Sequence, residues 1–242
     1  MFNHYRTSGF ILKKNDRGEA NRIFTVYTKD FGKLDLLARA ERKITSKLRG
    51  GLELFYFSEI EFIQGKHYKT LIDAVLIDSF KSLKKDLKTL SVLSKISEVF
   101  DSLVREADPD EKIWNLLMEV FKKLNSTRPE IVYYYFFWNF ITTLGYRPEL
   151  YNCSLCQKKL SPKDIYFNDK EAGLTCGRCE NPTESAKSIN PDAIKIIRII
   201  LKKDWLTLKK LKIKKEELGS LKDISQYYLS EISRRAGYVS SP

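Results

Sequence analysis

All four cysteines of the chain fall in one stretch, as Cys153-Ser-Leu-Cys156 and Cys176-Gly-Arg-Cys179. A two-residue gap turns both sulfurs of a pair toward one point, and two such knuckles complete a tetrahedral four-sulfur shell. Soft thiolates select zinc or an iron–sulfur cluster over magnesium or calcium. Two disulfides or four free thiols are the other options, and a chain without an export signal disfavours the disulfides. A closed thiolate shell has no position for water or substrate. The expectation is therefore one structural Zn2+ on Cys153, Cys156, Cys176 and Cys179. The only histidines, His4 and His67, lie far from the cysteines, and no H-E-x-x-H occurs. The H-x-E partner that zinc deaminases place upstream of their cysteines is also missing. Lys158, Lys159 and Arg178 adjoin the knuckles and can offset the negative charge of a metal tetrathiolate.

A clasp of this kind is an insertion in something larger. The chain has 242 residues, enough for one large or two modest domains. Lys and Arg number 43 against 31 Asp and Glu, giving a formal net charge of +12. A surplus of that size points to a polyanionic partner, with nucleic acid first. Residues Met1 to Asn15 contain no apolar core of the kind a signal peptide needs. The longest apolar run, Ile131 to Leu144, is short for a membrane span and predicts a buried helix. The expected location is cytoplasmic.

Residues 1–80 read as β-structure. Strand patterns cover Thr7–Lys13, Arg22–Thr28, Leu34–Ala40, Leu52–Ile63 and Thr70–Ile77, with turns at Gly32 and Gly65. Five short strands with Gly turns suggest a small barrel, either an OB-fold or an SH3-like one. Between the third and fourth strands lies a basic stretch holding Arg39, Arg42, Lys43, Lys47 and Arg49 around one acid, Glu41. From Ser82 the apolar period becomes helical, through Leu83, Leu87, Leu90, Leu93, Ile96, Phe100 and Leu103. A second helix is expected with Asp108 as its N-cap, and a third after Thr127-Arg-Pro-Glu130, ending at Gly145. The third helix is apolar on every face and predicts the centre of a bundle rather than a base-stacking platform. Tyr166-Phe167 and Gly173-Leu174 predict a hairpin between the knuckles. Asn190 and Pro191 open a further helix. A lysine tract from Lys202 to Lys215 and a last helix through Tyr228 follow.

Several of these stretches, in this order, resemble the bacterial recombination mediator family RecO. Gly18-Glu-Ala-Asn-Arg-Ile23 is similar to its Gly-Glu-x-Asp/Asn-Arg-Ile/Leu element. Phe31-Gly-Lys-Leu34 with Ala38-Arg-Ala40 is similar to its Gly-Lys…Ala-Arg-Gly-Ala segment. Ser46-Lys-Leu48 with Gly51-Leu-Glu-Leu-Phe55 resembles its Lys-Ser-Arg-Leu…Leu-Glu-Pro-Phe run. Leu144-Gly-Tyr-Arg-Pro148 resembles the entry to its zinc segment. Glu41 and Leu54 depart from the pattern, standing where a small residue and a proline are common.

The resemblance implies an α+β multidomain chain. An N-terminal OB-fold over residues 1–80 would bind DNA, and a helical domain over 81–242 would carry the zinc segment 153–179. It implies binding of single- and double-stranded DNA, annealing of complementary strands, partnership with RecR and the single-stranded DNA-binding protein, and indirect service to RecA on the nucleoid. The expected DNA-binding set is Arg22, Lys33, Arg39, Arg42, Lys43, Lys47 and Arg49, with the Lys202–Lys215 tract as a rival. No P-loop, Ser–His pair or nuclease-like carboxylate cluster is visible, so no enzymatic turnover is expected. A zinc-ribbon or OB-fold module acting on RNA or in transcription is the alternative.

Overall fold

β-Branched and aromatic residues alternate through the first part of the chain and produce five strands. These are β1 (His4–Arg17), β2 (Asn21–Thr28), β3 (Gly32–Ala38), β4 (Phe57–Gln64) and β5 (Lys69–Asp78). In this computed structural model the described residues are 3–105, 109–125, 128–161, 165–168, 173–179 and 187–235. The strands close into a barrel in the order β1-β2-β3-β5-β4. Closure is made by a parallel pairing of Leu36–Ala38 with Lys69–Leu71, and every other ladder of the barrel is antiparallel. That order makes the barrel OB-like, which strand count alone did not decide. β1 serves both neighbours, pairing with β4 over His4–Phe10 and with β2 over Gly9–Arg17, with a register shift between Ile11 and Lys13. A bulge of this kind bends a strand around a barrel corner. The interior is filled by Ile11, Phe24, Val26, Leu36, Ile60 and Phe62, each almost fully buried.

The helical period begins later than the sequence suggests. Leu83–Lys85 forms a 3-10 turn, and α1 spans Leu87–Leu103, capped by the Asp86 carboxylate, which accepts from the Lys88 and Thr89 amides. Leu87, expected in the core, is exposed because it occupies the first turn before the buried stripe begins. α2 spans Glu111–Leu124 and is capped by Asp110, whose side chain accepts from the Lys112 and Ile113 amides. The expected cap, Asp108, lies outside the described residues. Both helices pack on the barrel. Phe10 meets Phe57, Trp114 and Phe121 at ring separations of 4.9, 5.4 and 4.6 Å. The Tyr27 hydroxyl donates to the Asp110 carbonyl at 3.2 Å. The chain accordingly divides into one compact unit of Met1–Pro129 and a second of Glu130–Pro242.

The second unit is built around α3 (Pro129–Thr143), in which Tyr135, Phe136, Phe137, Trp138, Phe140 and Ile141 are fully buried. An all-round apolar helix belongs at a centre, as its sequence predicts. α4 (Pro191–Leu201), α5 (Trp205–Lys210) and α6 (Lys215–Arg235) surround it. Asn190 caps α4 through its side chain, which accepts from the Asp192 amide at 2.9 Å. Trp138 meets Tyr228 of α6 at 5.3 Å, and Tyr135 meets Trp205 of α5 at 5.3 Å. A small sheet, β6 (Ile165–Asn168), β7 (Gly173–Cys176) and β8 (Lys187–Ser188), lies in the order β7-β6-β8. The hairpin expected between the knuckles is the β6–β7 pair.

Candidate metal centre and nucleic-acid interface

The two knuckles are shaped by backbone hydrogen bonds before any metal is considered. The Cys153 amide donates to Lys158 O at 2.8 Å and the Gln157 amide to Cys153 O at 2.9 Å, with Gln157 at φ +60°. The Ser154 amide donates to Leu174 O at 2.9 Å and ties the first knuckle to β7. The second knuckle follows the end of β7, and the Cys179 amide donates to Cys176 O at 3.0 Å. All four sulfurs lie within 4.8 Å of one another, and Cys156 and Cys176 stand 3.8 Å apart. A tetrahedron with metal–sulfur bonds of about 2.3 Å has edges of about 3.8 Å. A disulfide would bring sulfurs to about 2.05 Å, and all four thiols are free. The cluster thus fits a metal ion of zinc's size and ligand preference.

The thiols are unevenly tuned. Burial pushes the Cys153 thiol up, but the amides of Cys156, Cys176 and Leu155 outweigh it and bring the thiol down to about 6. Cys176 is likewise lowered, burial notwithstanding, by the amides of Cys179 and Arg178. Cys179 is pushed up to about 12 by hydrogen bonding to Cys156 and Cys176. Crowded sulfurs resist sharing full negative charge without a cation, and a bound dication removes that conflict.

The basic stretch has a built base. Ala40, at φ +52°, donates its amide to Asn21 Oδ1 at 2.9 Å. Arg22 donates from Nε to Asp16 at 2.7 Å and from Nη1 to Glu41 at 3.1 Å. Arg42 donates to Gly18 O at 3.2 Å and lies 3.5 Å from Asp16. The Gly18–Ile23 element therefore fastens the start of the loop to the β1–β2 turn. Glu41, the acid that departs from the family pattern, is only 2% exposed and faces Arg22 rather than solvent. Farther along, Lys47–Gly50 forms a 3-10 turn, and Gly51 lies on β5 so closely that an added Cβ would sit 2.2 Å from Ala74 O.

The seven expected DNA-binding residues consequently divide. Arg39, Lys43, Lys47 and Arg49 are exposed, with no carboxylate partner among the described residues. Arg22 and Arg42 hold the loop's base. Lys33 is buried, and its ammonium meets Asp101 at 2.6 Å and donates to Val104 O at 2.6 Å and Asp101 O at 3.2 Å. It joins β3 to α1 and presents no free donor face to a phosphate. Burial would raise the Asp101 carboxyl, but hydrogen bonds from Lys13 and Lys33 hold it below the usual carboxylate range.

Two residues outside the expected set join this rim. The Arg17 guanidinium lies 4.2 Å from the ring centroid of Tyr68, an exposed aromatic in the β4–β5 turn. The pair brings the β1–β2 and β4–β5 turns together, the loops through which OB barrels hold oligonucleotides. A tyrosine just after the Gly65 turn was the available signal.

Comparison with known proteins agrees with this architecture along the chain. The family models "Recombination protein O N terminal" and "Recombination protein O C terminal" match residues 1–80 and 84–240. The chain belongs to the recombination protein O family. A protein of Dehalococcoides mccartyi strain BAV1 named DNA repair protein RecO is 31% identical over 218 residues, covering 90% of this chain and 86% of its own. Proteins of the same name from Thermoanaerobacter sp. strain X514 and Halalkalibacterium halodurans are each 28% identical. The shares covered are 89% and 88% for the first, 95% and 90% for the second. The family sets the biological frame as DNA repair and recombination. No helix among the described residues is long and apolar enough to cross a membrane.

Proposed function

We propose that this RecO-family chain is a non-enzymatic recombination mediator. It binds single- and double-stranded DNA, anneals complementary strands, and helps load recombinase onto single-stranded DNA. Its protein partners are RecR and the single-stranded DNA-binding protein, with RecA served indirectly, and its place is the cytoplasm, at the nucleoid. Residues 1–80 act as the DNA-binding OB domain. Residues 81–242 form the helical domain, whose four cysteines hold one structural Zn2+.

The observation that carries this reading is the barrel rim. Arg39, Lys43, Lys47 and Arg49, without acid partners among the described residues, follow a loop anchored beside the exposed Arg17–Tyr68 pair. Single-strand grooves combine a cationic track with aromatic faces on which bases stack. Annealing requires phosphate repulsion to be screened, and lysine and arginine do this while releasing counterions. The direct test is annealing of complementary oligonucleotides coated with the single-stranded DNA-binding protein. Accelerated duplex formation without nucleotide or added metal is expected. No acceleration, or a clear preference for structured RNA, contradicts the reading.

A further inference from the structure

A second cationic and aromatic site lies within the helical unit, where the start of the rival lysine tract, Lys202, meets the segment before the first knuckle. Segment 147–151, which leads from α3 to the first knuckle, and the end of α4 line a pocket of about 430 Å3. On its wall the Arg198 guanidinium lies 4.5 Å from the ring centroid of Tyr151. Its edge is fixed, since Nε donates to Leu150 O at 3.1 Å and Nη2 donates to the same oxygen. Tyr151 nevertheless remains 44% exposed. Arg147 and Lys202 are exposed on the same pocket, and neither has a hydrogen bond or ion pair from its side chain among the described residues. The one acid on the wall, Glu149, has its Oε1 engaged by the Tyr151 and Asn152 amides at 2.7 and 3.0 Å. Past Lys202 the exposed cations continue with Lys203, Lys209 and Lys210.

We propose that this pocket is a second contact for single-stranded nucleic acid. A base stacks against the exposed part of the Tyr151–Arg198 pair, and the flanking phosphates meet Arg147 and Lys202. The pocket volume lies within the range that holds a small ligand. Aromatic faces with guanidinium planes are the chemistry that grips unpaired bases irrespective of sequence. Cations beside an exposed aromatic face suit a strand, which offers phosphates and bases in alternation, better than an acidic peptide, which offers carboxylates without a base to stack. The inference rests on the DNA-binding reading and deepens it: a chain with two strand contacts can hold two strands at once, which annealing needs.

The test uses the full chain and an oligothymidylate carrying one 5-iodouracil, photocrosslinked and mapped by mass spectrometry. It is run on the native protein, on Tyr151→Leu and Tyr151→Phe, on Arg147→Glu/Lys202→Glu, and on Arg39→Glu/Lys43→Glu. A crosslink at Tyr151 is expected in the native chain and in the barrel-loop variant. Tyr151→Leu should weaken oligonucleotide binding roughly fivefold or more, while Tyr151→Phe keeps most of it, because the stack needs the ring and not the hydroxyl. Arg147→Glu/Lys202→Glu should reduce the salt dependence of binding by roughly 0.7 for each phosphate that is no longer neutralised. No crosslink within 147–151, together with unchanged affinity in both pocket variants, overturns the second site and leaves the barrel site standing. A pocket that binds a glutamate-rich peptide through Arg147 and Lys202 but not the oligonucleotide overturns it too. Failure of the native chain to bind any oligonucleotide overturns both readings.

Discussion

The cations of the barrel unit and those of the helical unit are held in different ways. In the barrel unit Lys13, Lys14, Arg22, Lys33 and Arg42 each meet a carboxylate, from Asp101, Glu53, Asp16 or Glu41. The loop from Lys43 to Arg49, with Arg39 before it, keeps its charge unpaired among the described residues. In the helical unit Lys195 pairs with Asp192, while Arg147, Lys158, Lys159 and Lys202 stand exposed without a carboxylate partner among the described residues. The units also differ in what fixes their shape. Sheet closure and an aromatic seam define the first. An apolar central helix and a cluster of four thiols define the second. Charge density in a sequence is thus a poor map of an electrostatic footprint, because the folded positions of a few acids decide which cations remain available.

Metal removal should separate the units most sharply. In zinc-finger peptides the binding energy of a structural zinc is about 10–16 kcal/mol, and a larger domain depends on it less. Chelation, or Cys153→Ser, should strip hydrogen-exchange protection from β6 and β7 while β1 to β3 keep theirs. Equal loss in both units would break the distinction. The sign with pH follows from the thiols. Binding metal requires the Cys179 proton, held up to about 12 in the metal-free cluster, to leave. Protons therefore compete with metal, and chelator-driven release should speed up as pH falls through the neutral range.

Lys33 gives the next largest effect. Replacing it with Ala leaves the Val104 and Asp101 carbonyls without their donor and removes one of the two cations at the Asp101 carboxylate. A cost of about 1–3 kcal/mol in urea unfolding is expected, since buried groups lose their partner. The salt dependence of DNA binding should stay the same. A reduced salt slope with unchanged stability would return Lys33 to the DNA interface.

These contrasts also show what the sequence could and could not reveal. The knuckles, the apolar α3, the Asn190–Pro191 helix start and the number of strands were legible, because each is a local pattern. The role of Lys33 was not. Its partners lie 68 and 71 residues away, on α1 and at its C-cap, and no local pattern announces how that helix docks. Arg22 is a parallel case: its place in a family element suggests a ligand contact, and no local pattern shows that the fold pairs it with Asp16 and Glu41. Strand β5 was legible in type but not in packing. Its pairing with β4 carries two register shifts, and Val75, Leu76 and Ile77 are exposed, which the strand pattern Thr70–Ile77 did not indicate.

Lys84 offers a smaller, pH-resolved contrast. Burial holds its ammonium down to about 8, Nζ has no hydrogen-bond partner among the described residues, and it sits 3.8 Å from the Tyr56 ring centroid. The folded pKa lies below the unfolded value, so the unfolded chain binds more protons between about pH 8 and 10.5, and stability gains from this site as pH rises through that window. Lys84→Met should therefore be more stable than the native chain at pH 7, with the advantage shrinking toward pH 10.5. An advantage that is constant with pH, measured as the difference in urea midpoints, would show that desolvation of the ammonium is not its source.

On the proposed reading the unpaired loop cations, and not the paired ones, meet DNA. The salt dependence of single-strand binding separates the two sets when Arg39→Glu/Lys43→Glu is measured beside Lys33→Met. The loop variant should bind every sequence more weakly, with a slope reduced by roughly 0.7 for each phosphate it no longer neutralises, and Lys33→Met should keep the native slope. Equal slopes in the loop variant and the native chain, or a larger drop in Lys33→Met, would overturn this assignment.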